Sequence, residues 1–328
     1  MKIGLTYDLR EDYIKEGYSL EETAELDKVE TIEGIEQALQ VLGYETERIG
    51  NAKQLIRALA KHKTWDLVFN IAEGLNGFGR ESVVPSILET YGIPYTFSDP
   101  LVSSLCLHKG KTKIITKHYG ISTADFFQIN NESELKNLQN HPLNYPLFIK
   151  PVAEGTSKGI DQRCIIRSYD NLVSVATDLL KQFKQPLLVE TFLSGREFTV
   201  CMVGTGNETE VLGIMEIIFG ENAEKDIYSY INKADYENRI SYRLLEDQDP
   251  LFNSVADVAL KAWKTINCRD AGRVDVRLDS NDMPMMIEIN PLAGLNPKDS
   301  DMPLLCGLKK IPYVNLIEKI VRSSLKRA

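Results

Sequence analysis

Strand-forming and helix-forming runs alternate through the first hundred residues, and this alternation restricts the possible folds more than any other feature of the sequence. Residues 2–7 (KIGLTY) form a short apolar run of strand formers, and residues 30–42 place Ile32, Ile35, Leu39 and Leu42 at helical spacing before Gly43. A helical QLIRALAKH, a strand DLVFNIA at 66–72, a helix ESVVPSILETYG ending on Gly92 and a short IPYTFS follow. Strand-helix-strand order of this kind brings each strand back parallel to the last through a crossover helix. The segment therefore reads as a small doubly wound α/β domain. With 328 residues, 43% of them hydrophobic, the chain has material for two or three packed subdomains.

The remainder is mixed. A helix runs from Ser103 through LCLHKGKTKIITKHYG, strands follow at ADFFQI and PLFIKPV, and residues 154–160 (EGTSKGI) interrupt the second of these. Next come CIIRS, a helix near 170–184, the strands LLVETF, EFTVCMV and VLGIMEIIF, and a polar, tyrosine-rich stretch at 226–243. A helix at 251–266, the strands GRVDVRLD and MPMMIEIN, and a helix with a basic end complete the chain. No repeat or low-complexity tract interrupts it.

A formal charge of −9 argues against a nucleic-acid partner, which requires clustered Lys and Arg. The start, MKIGLTYDLRED, lacks the apolar core of a secretory signal, and no apolar run approaches a membrane span, so a cytoplasmic location is expected. Cys106, Cys164, Cys201, Cys268 and Cys306 lie far apart without a CxxC pair, and the four histidines form no HExxH or HxxxH, which leaves zinc hydrolysis unsupported.

Three constellations carry chemistry. Arg273 and Asp275 share one face of GRVDVRLD, and Glu288 and Asn290 share one face of the next strand. If the two strands form a hairpin, two carboxylates and an amide oxygen converge as a hard-oxygen set suited to Mg²⁺, beside an arginine able to stabilise developing negative charge. The bland reading is a solvent-facing hairpin, but a carboxylate in the apolar setting MMIEIN is costly without a cation. The second constellation is PLFIKPVAEGTSKGI, whose glycines let backbone N–H groups approach phosphates while Thr156, Ser157 and Lys158 add donors. Its spacing is neither a P-loop nor a GxGxxG, and a plain hairpin turn is the alternative. Lys150, mid-strand among apolar residues, calls for an anionic partner. In the third, VETFLSGREFTV, Glu190 ends a strand and Glu197 follows Gly195, an arrangement that either offers adenine and ribose contacts or is an ordinary turn.

In this order and at these separations, LCLHKGKTK, PLFIKPVAEGTSKGI, LLVETFLSGREFTV, GRVDVRLD and IEINPLAGLNPKDS resemble the ATP-grasp superfamily, and most closely the D-alanine:D-alanine ligases, over nearly the whole chain. The resemblance implies an α/β ATP-grasp fold, with a small N-terminal doubly wound domain at 1–98 and two α+β subdomains, 99–185 and 186–328, that clasp ATP. It also implies roles. Lys109 and Lys150 look like the lysines on the ATP phosphates, with Ser157 in the phosphate loop, and Glu190 and Glu197 look like the adenine-hinge and ribose contacts. Asp275, Glu288 and Asn290 look like the ligands of two Mg²⁺ ions, with Mn²⁺ as an alternative. Arg273 and Gly294 look like the groups that stabilise the tetrahedral intermediate. Thr156 stands where the family's loop has serine, and Lys233 in YSYINKA matches the flexible-loop lysine.

Departures fall on the substrate side. The family's GGxSxEREVS loop is replaced by DLREDYIKEGYSLEETAELDKVE, in which Glu25 or Asp27 stands in for its glutamate. In AEGLNGFGRES, Glu73 replaces a histidine and Arg80 has no equivalent. Ala234 replaces a tyrosine, and Asp301 follows Ser300, the serine position that holds the second substrate's carboxylate. Asp301 would attract a cationic group or repel a carboxylate, unless it points to solvent or caps a turn.

The implied activity is ATP-dependent carboxylate–amine ligation through an acyl phosphate, releasing ADP and phosphate. The alternatives are authentic D-alanine:D-alanine ligation and a nucleotide-binding protein without turnover. Expected partners are small-molecule carboxylate and amine substrates, with no nucleic acid and no membrane, and with a homodimer left open. The Gly-loop and residues 226–243 are expected to act as lids.

Overall fold

The computed structural model describes residues 1–223, 227 and 236–327. Three sheets organise them. The first contains β1 (Lys2–Thr6), β2 (Glu45–Gly50) and β3 (Leu67–Asn70) in the order β2-β1-β3, all parallel. Helix Val29–Val41 covers one face through Ile35 and Leu39, and helices Ala52–Leu59 and Val83–Thr90 cover the other through Leu55, Leu59 and Leu88, so the domain is doubly wound. The sequence reading has no strand at 45–50: ETERIG is a half-exposed, polar edge strand with little apolar signal. IPYTFS contributes only an isolated bridge between Tyr95 and Val68.

The second sheet contains β4 (Phe126–Ile129), β5 (Leu147–Pro151), β6 (Ile165–Ile166) and β7 (Leu187–Thr191) in the order β4-β7-β5-β6. One face packs on helix Tyr169–Phe183, with Ile149 and Val189 against Leu172 and Ala176. Alternation along β5 turns the next residue, Lys150, to the opposite face. The break expected at 185/186 would separate β7 from this sheet, whereas β7 pairs with both β4 and β5. A subdomain boundary consistent with the pairing falls after β7.

The third sheet is antiparallel and holds β8 (Glu197–Val203), β9 (Glu210–Phe219), β10 (Ile240–Leu244), β11 (Ala271–Leu278) and β12 (Pro284–Asn290), in the order β10-β9-β8-β11-β12. Phe198, Val200 and Met202 point to one layer, formed by helix Phe252–Ile266 with the fully buried Trp263 and by Val102 and Cys106 of helix Pro100–Leu107. Helix Pro100–Leu107, expected in the central subdomain, is thus part of the third sheet's core. Cys201 and Val203 point the other way, into a core shared with Ile3, Leu5 and Phe69 of the first sheet and closed by helices Asp301–Leu308 and Tyr313–Leu325. The end of the tyrosine-rich stretch is strand β10, paired with β9. Lys233 and Ala234 lie outside the described residues. No described helix is long and apolar enough to cross a membrane.

Candidate active site

The hairpin anticipated from GRVDVRLD and PMMIEIN is present. Register places Arg273 opposite Asn290 and Asp275 opposite Glu288, so all four side chains meet at the ends of β11 and β12. The Asn290 amide lies 3.1 Å from Asp275 Oδ2 and 3.4 Å from Glu288 Oε1. Two carboxylates and an amide therefore converge, a donor set of hard oxygens once the amide presents its carbonyl. Among the described residues no three His, Cys, Asp or Glu side chains are placed to hold a metal ion, so any cation here depends on this amide-containing set or on ligand oxygens.

Cations surround the hairpin. Lys109, the first residue of helix Lys109–His118, reaches Glu288 Oε2 at 3.3 Å and donates to the Glu154 carbonyl at 2.6 Å. Burial pushes the Glu288 carboxyl up, but Lys109, Lys150 and Arg273 outweigh it and hold the carboxyl below its ordinary range. Lys150 finds its anionic partner in Glu190, Nζ to Oε1 2.8 Å, and Lys113 takes the other oxygen at 2.8 Å. All three are buried. Burial raises the Glu190 carboxyl, the two lysines overcome it, and the net position is about 2. Glu190, expected at an adenine hinge, thus has its carboxylate taken by lysines. Glu197 lies opposite Arg277 in strand register and pairs with it at 3.1 Å.

Two cavities meet at this hairpin. The smaller, about 110 Å³, brings together Lys150, Ser157, Glu190, Glu197, Asp275 and Arg277. The larger, about 350 Å³, is lined by Glu25, Asp27, Glu73, Glu81, Lys109, Gly294, Ser300 and Asp301, among others. Thr156, Arg273 and Glu288 line both, which makes them the shared wall. Thr156 (φ 49°) and Ser157 (φ 56°) hold the left-handed backbone of the Gly-loop, a conformation costly for non-glycine residues.

Several sequence expectations change on the substrate side. Glu25 reaches the large cavity, but its carboxylate is engaged by Arg80 at 2.5 Å, Lys158 at 2.7 Å and the Gly155 N–H at 3.0 Å. Burial raises the Glu25 carboxyl and these cations more than reverse it, to about 2. Lys158, expected as a phosphate donor, instead pairs with Glu25 and Glu154. Asp301 does not face solvent. It is buried in the first turn of its helix with Oδ2 2.8 Å from Arg273 Nη1. Ser300 Oγ accepts from the Asn296 N–H at 3.0 Å, and a Cβ on Gly294 would come within 2.8 Å of that oxygen. Glu73 and Glu81 face the cavity without an ion pair or side-chain hydrogen bond among the described residues. Burial pushes both carboxyls up, Glu81 to about 7.

Lys113, Arg277, Glu81 and the Arg80–Glu25 pair are absent from the sequence reading. A signal existed for the first two: Lys113 lies four residues from Lys109 on one helix face, and Arg277 two residues from Asp275 on one strand face.

Comparison with known proteins gives a consistent result. A family model described as D-ala D-ala ligase C-terminus matches residues 115–322. A D-alanine--D-alanine ligase of Aquifex aeolicus is 31% identical over 294 residues, 89% of this chain and 94% of that protein. One of Bordetella petrii is 29% identical over 289 residues, 88% and 84% of the two chains. Among solved structures, the Bacillus anthracis D-alanine--D-alanine ligase complexed with ATP superposes with a TM-score of 0.74 at 23% identity, covering 100% of this chain and 98% of that one. VanG D-Ala:D-Ser ligase from Enterococcus faecalis gives a TM-score of 0.72 at 18% identity, covering 98% and 99%. At these identities the two structures bear on the fold alone.

Proposed function

Because this chain belongs to the D-alanine–D-alanine ligase family, and is therefore an ATP-dependent ligase of the ATP-grasp type, we propose that it joins a small-molecule carboxylate to a small-molecule amine across the wall between its two cavities. The observation that carries this reading is the shared wall itself: Thr156, Arg273 and Glu288 face a pocket that holds Lys150 and Arg277 on one side and a larger polar cavity on the other.

ATP extends from the smaller cavity with its phosphates at the shared wall. Lys150 on the smaller cavity's side and Lys109 on the larger cavity's side supply cationic charge to the phosphates, the Gly-loop around Thr156 and Ser157 presents backbone N–H groups, and Glu197 accepts from ribose hydroxyls. Lys113 serves indirectly: by sharing Glu190 it fixes the carboxylate that holds Lys150 in place. Asp275, Glu288 and the Asn290 oxygen are the residues that would hold Mg²⁺, whose positive charge, when bound, neutralises phosphoryl oxygens. Lys233 belongs to the same proposal as a loop lysine, and lies outside the described residues.

The carboxylate substrate sits in the larger cavity with one oxygen toward the shared wall. That oxygen forms a bond to the γ-phosphorus as the bond to the ADP oxygen breaks. The neutral amine nitrogen then attacks the acyl carbon, the carbon–oxygen bond to phosphate breaks, and phosphate leaves with the former carboxylate oxygen and takes up the proton that the nitrogen gives up. Arg273 and the backbone N–H of Gly294 face the oxyanion of the tetrahedral intermediate. Exclusion of water from the reacting groups would protect the acyl phosphate from hydrolysis.

The test is coupled ADP release with purified protein and Mg·ATP over a matrix of amino acids, dipeptides and other acid–amine pairs, with product mass. A product lighter by one water than the summed substrates supports the reading. ADP release indifferent to every pair, with no condensed product, removes it.

A further inference from the structure

Among the described residues four cations line the large cavity, and three of them are matched by carboxylates of the chain: Lys28 by Asp299 at 2.8 Å, Lys109 by Glu288 at 3.3 Å, and Arg273 by Asp275 and Asp301. Arg10 is the exception. Its Nε donates to the Thr23 carbonyl at 3.0 Å and its Nη2 to the Ala24 carbonyl at 2.5 Å, and no described carboxylate lies within ion-pair distance of it. Two main-chain acceptors thus hold the guanidinium in one orientation without neutralising it, and Nη1 keeps its hydrogens for a further acceptor. The cavity acids that lack a cationic partner, Asp27, Glu73 and Glu81, do not cancel this charge. Burial raises all three carboxyls, Asp27 and Glu81 to about 7, whereas a guanidinium stays protonated. An arriving anion raises such carboxyls further, toward the neutral form that opposes it least.

Resting on the ligase reading above, we infer that Arg10 is a specificity-determining residue that pairs with a carboxylate of the amine substrate, so that the acceptor is an amino acid or a peptide and not a simple amine. Arg10 borders the larger cavity only, so its partner stands off the shared wall where the nucleotide phosphates meet the reacting carboxylate. The Arg10 N–H bonds the Asp27 carbonyl at 2.9 Å, and Lys28, next in the chain, pairs with Asp299, so the N-terminal segment meets the loop that carries Ser300. Ser300 adjoins Gly294, the residue whose N–H faces the oxyanion in the proposed mechanism. Its Oγ accepts from the Asn296 N–H, which leaves the hydroxyl hydrogen to donate. An amine attacking beside Gly294 brings the carboxylate on its neighbouring carbon to this end of the cavity, where a hydroxyl offers one hydrogen bond and the guanidinium offers charge and a fork of donors.

The experiment first separates this inference from the ligase reading. With Mg·ATP, hydroxylamine and a panel of amino acids, dipeptides and other carboxylic acids as donors, hydroxamate formation reports carboxylate activation whatever the natural acceptor. No hydroxamate from any donor would sink the ligase reading and the inference with it. With the best donor, kcat/KM is then measured for acceptor amino acids against their carboxamides, in both stereochemical series, for the wild type, Arg10→Gln and Arg10→Lys. The inference predicts that the wild type prefers the best amino acid to its amide by about tenfold or more. Arg10→Gln should shift the acid-to-amide ratio toward the amide by about tenfold, and Arg10→Lys, which keeps the charge and loses the fork, should shift it by less. A purely structural role for Arg10, through the Thr23 and Ala24 carbonyls, would slow both acceptors alike and leave the ratio where it was. Comparing ratios between variants also cancels the intrinsic reactivity difference of the two amines. Hydroxamate formation without a wild-type preference for the free acid, or a ratio unmoved in folded Arg10 variants, overturns the inference and leaves the ligase standing. If both variants fail to fold, the wild-type preference still decides.

Discussion

Lys150 and Glu190 form a buried ion pair, Nζ to Oε1 2.8 Å, in which the carboxylate also carries Lys113 on its second oxygen. Removing Glu190 leaves two buried ammonium groups without their anion. Glu190→Gln is expected to destabilise the protein by about 3–5 kcal/mol, measured by denaturant unfolding at neutral pH. The same pair sets a pH dependence. The Glu190 carboxyl lies near 2 when folded against 4.5 for an ordinary glutamate, so its contribution is fully present above 4.5 and is lost as pH falls toward 2. That contribution is on the order of 3 kcal/mol. Wild-type stability should fall through this window more steeply than that of Glu190→Gln. Parallel profiles would show that the pair does not drive the acid limb.

Asp275, Glu288 and Asn290 meet at the end of one hairpin, so loss of a single oxygen should disable the set. Glu288→Gln and Asn290→Ala are expected to lower turnover by roughly a hundredfold or more while retaining a cooperative unfolding transition. Near-wild-type ADP production in metal-replete buffer would remove these residues from the proposed cation site.

Glu25 ties the N-terminal segment to the Gly-loop through Gly155 and Lys158. Glu25→Gln loses the charge that holds Lys158 and Arg80. Amide hydrogen exchange over 154–160 should then accelerate while the β1 amides stay protected. Unchanged exchange at Gly155 would show that the loop is held by other contacts.

Gly294 leaves room for Ser300, whose hydroxyl a Cβ would approach to 2.8 Å. Gly294→Ala should displace that hydroxyl from the Asn296 N–H at a cost of about 1 kcal/mol, and should impair kcat more than ATP binding. An unchanged kcat with wild-type stability would show that the loop simply gives way.

The hairpin, the mid-strand Lys150 and the doubly wound start were legible because each follows from a period: two residues per strand face, three to four per helix turn. What escaped depends on pairing that the sequence does not state. Strand β7 adjoins β8 in the chain and yet hydrogen-bonds to β4 and β5, so the expected boundary fell one strand early. ETERIG lacked the apolar signal of a strand because it lies at an edge. The motif resemblance pointed to Glu25, Glu190 and Asp301 as site residues, but their partners Arg80, Lys113 and Arg273 lie 55, 77 and 28 positions away. Only the fold reveals that each of these carboxylates is already taken.

The central claim, that a carboxylate is activated by phosphorylation before an amine displaces the phosphate, is tested most directly by isotope transfer. The measurement uses a donor labelled with ¹⁸O in both carboxylate oxygens, with Mg·ATP and an accepted amine, and reads the released phosphate by mass spectrometry. The account predicts one ¹⁸O in each phosphate released and one retained in the amide product. Condensed product accompanied by unlabelled phosphate would contradict it.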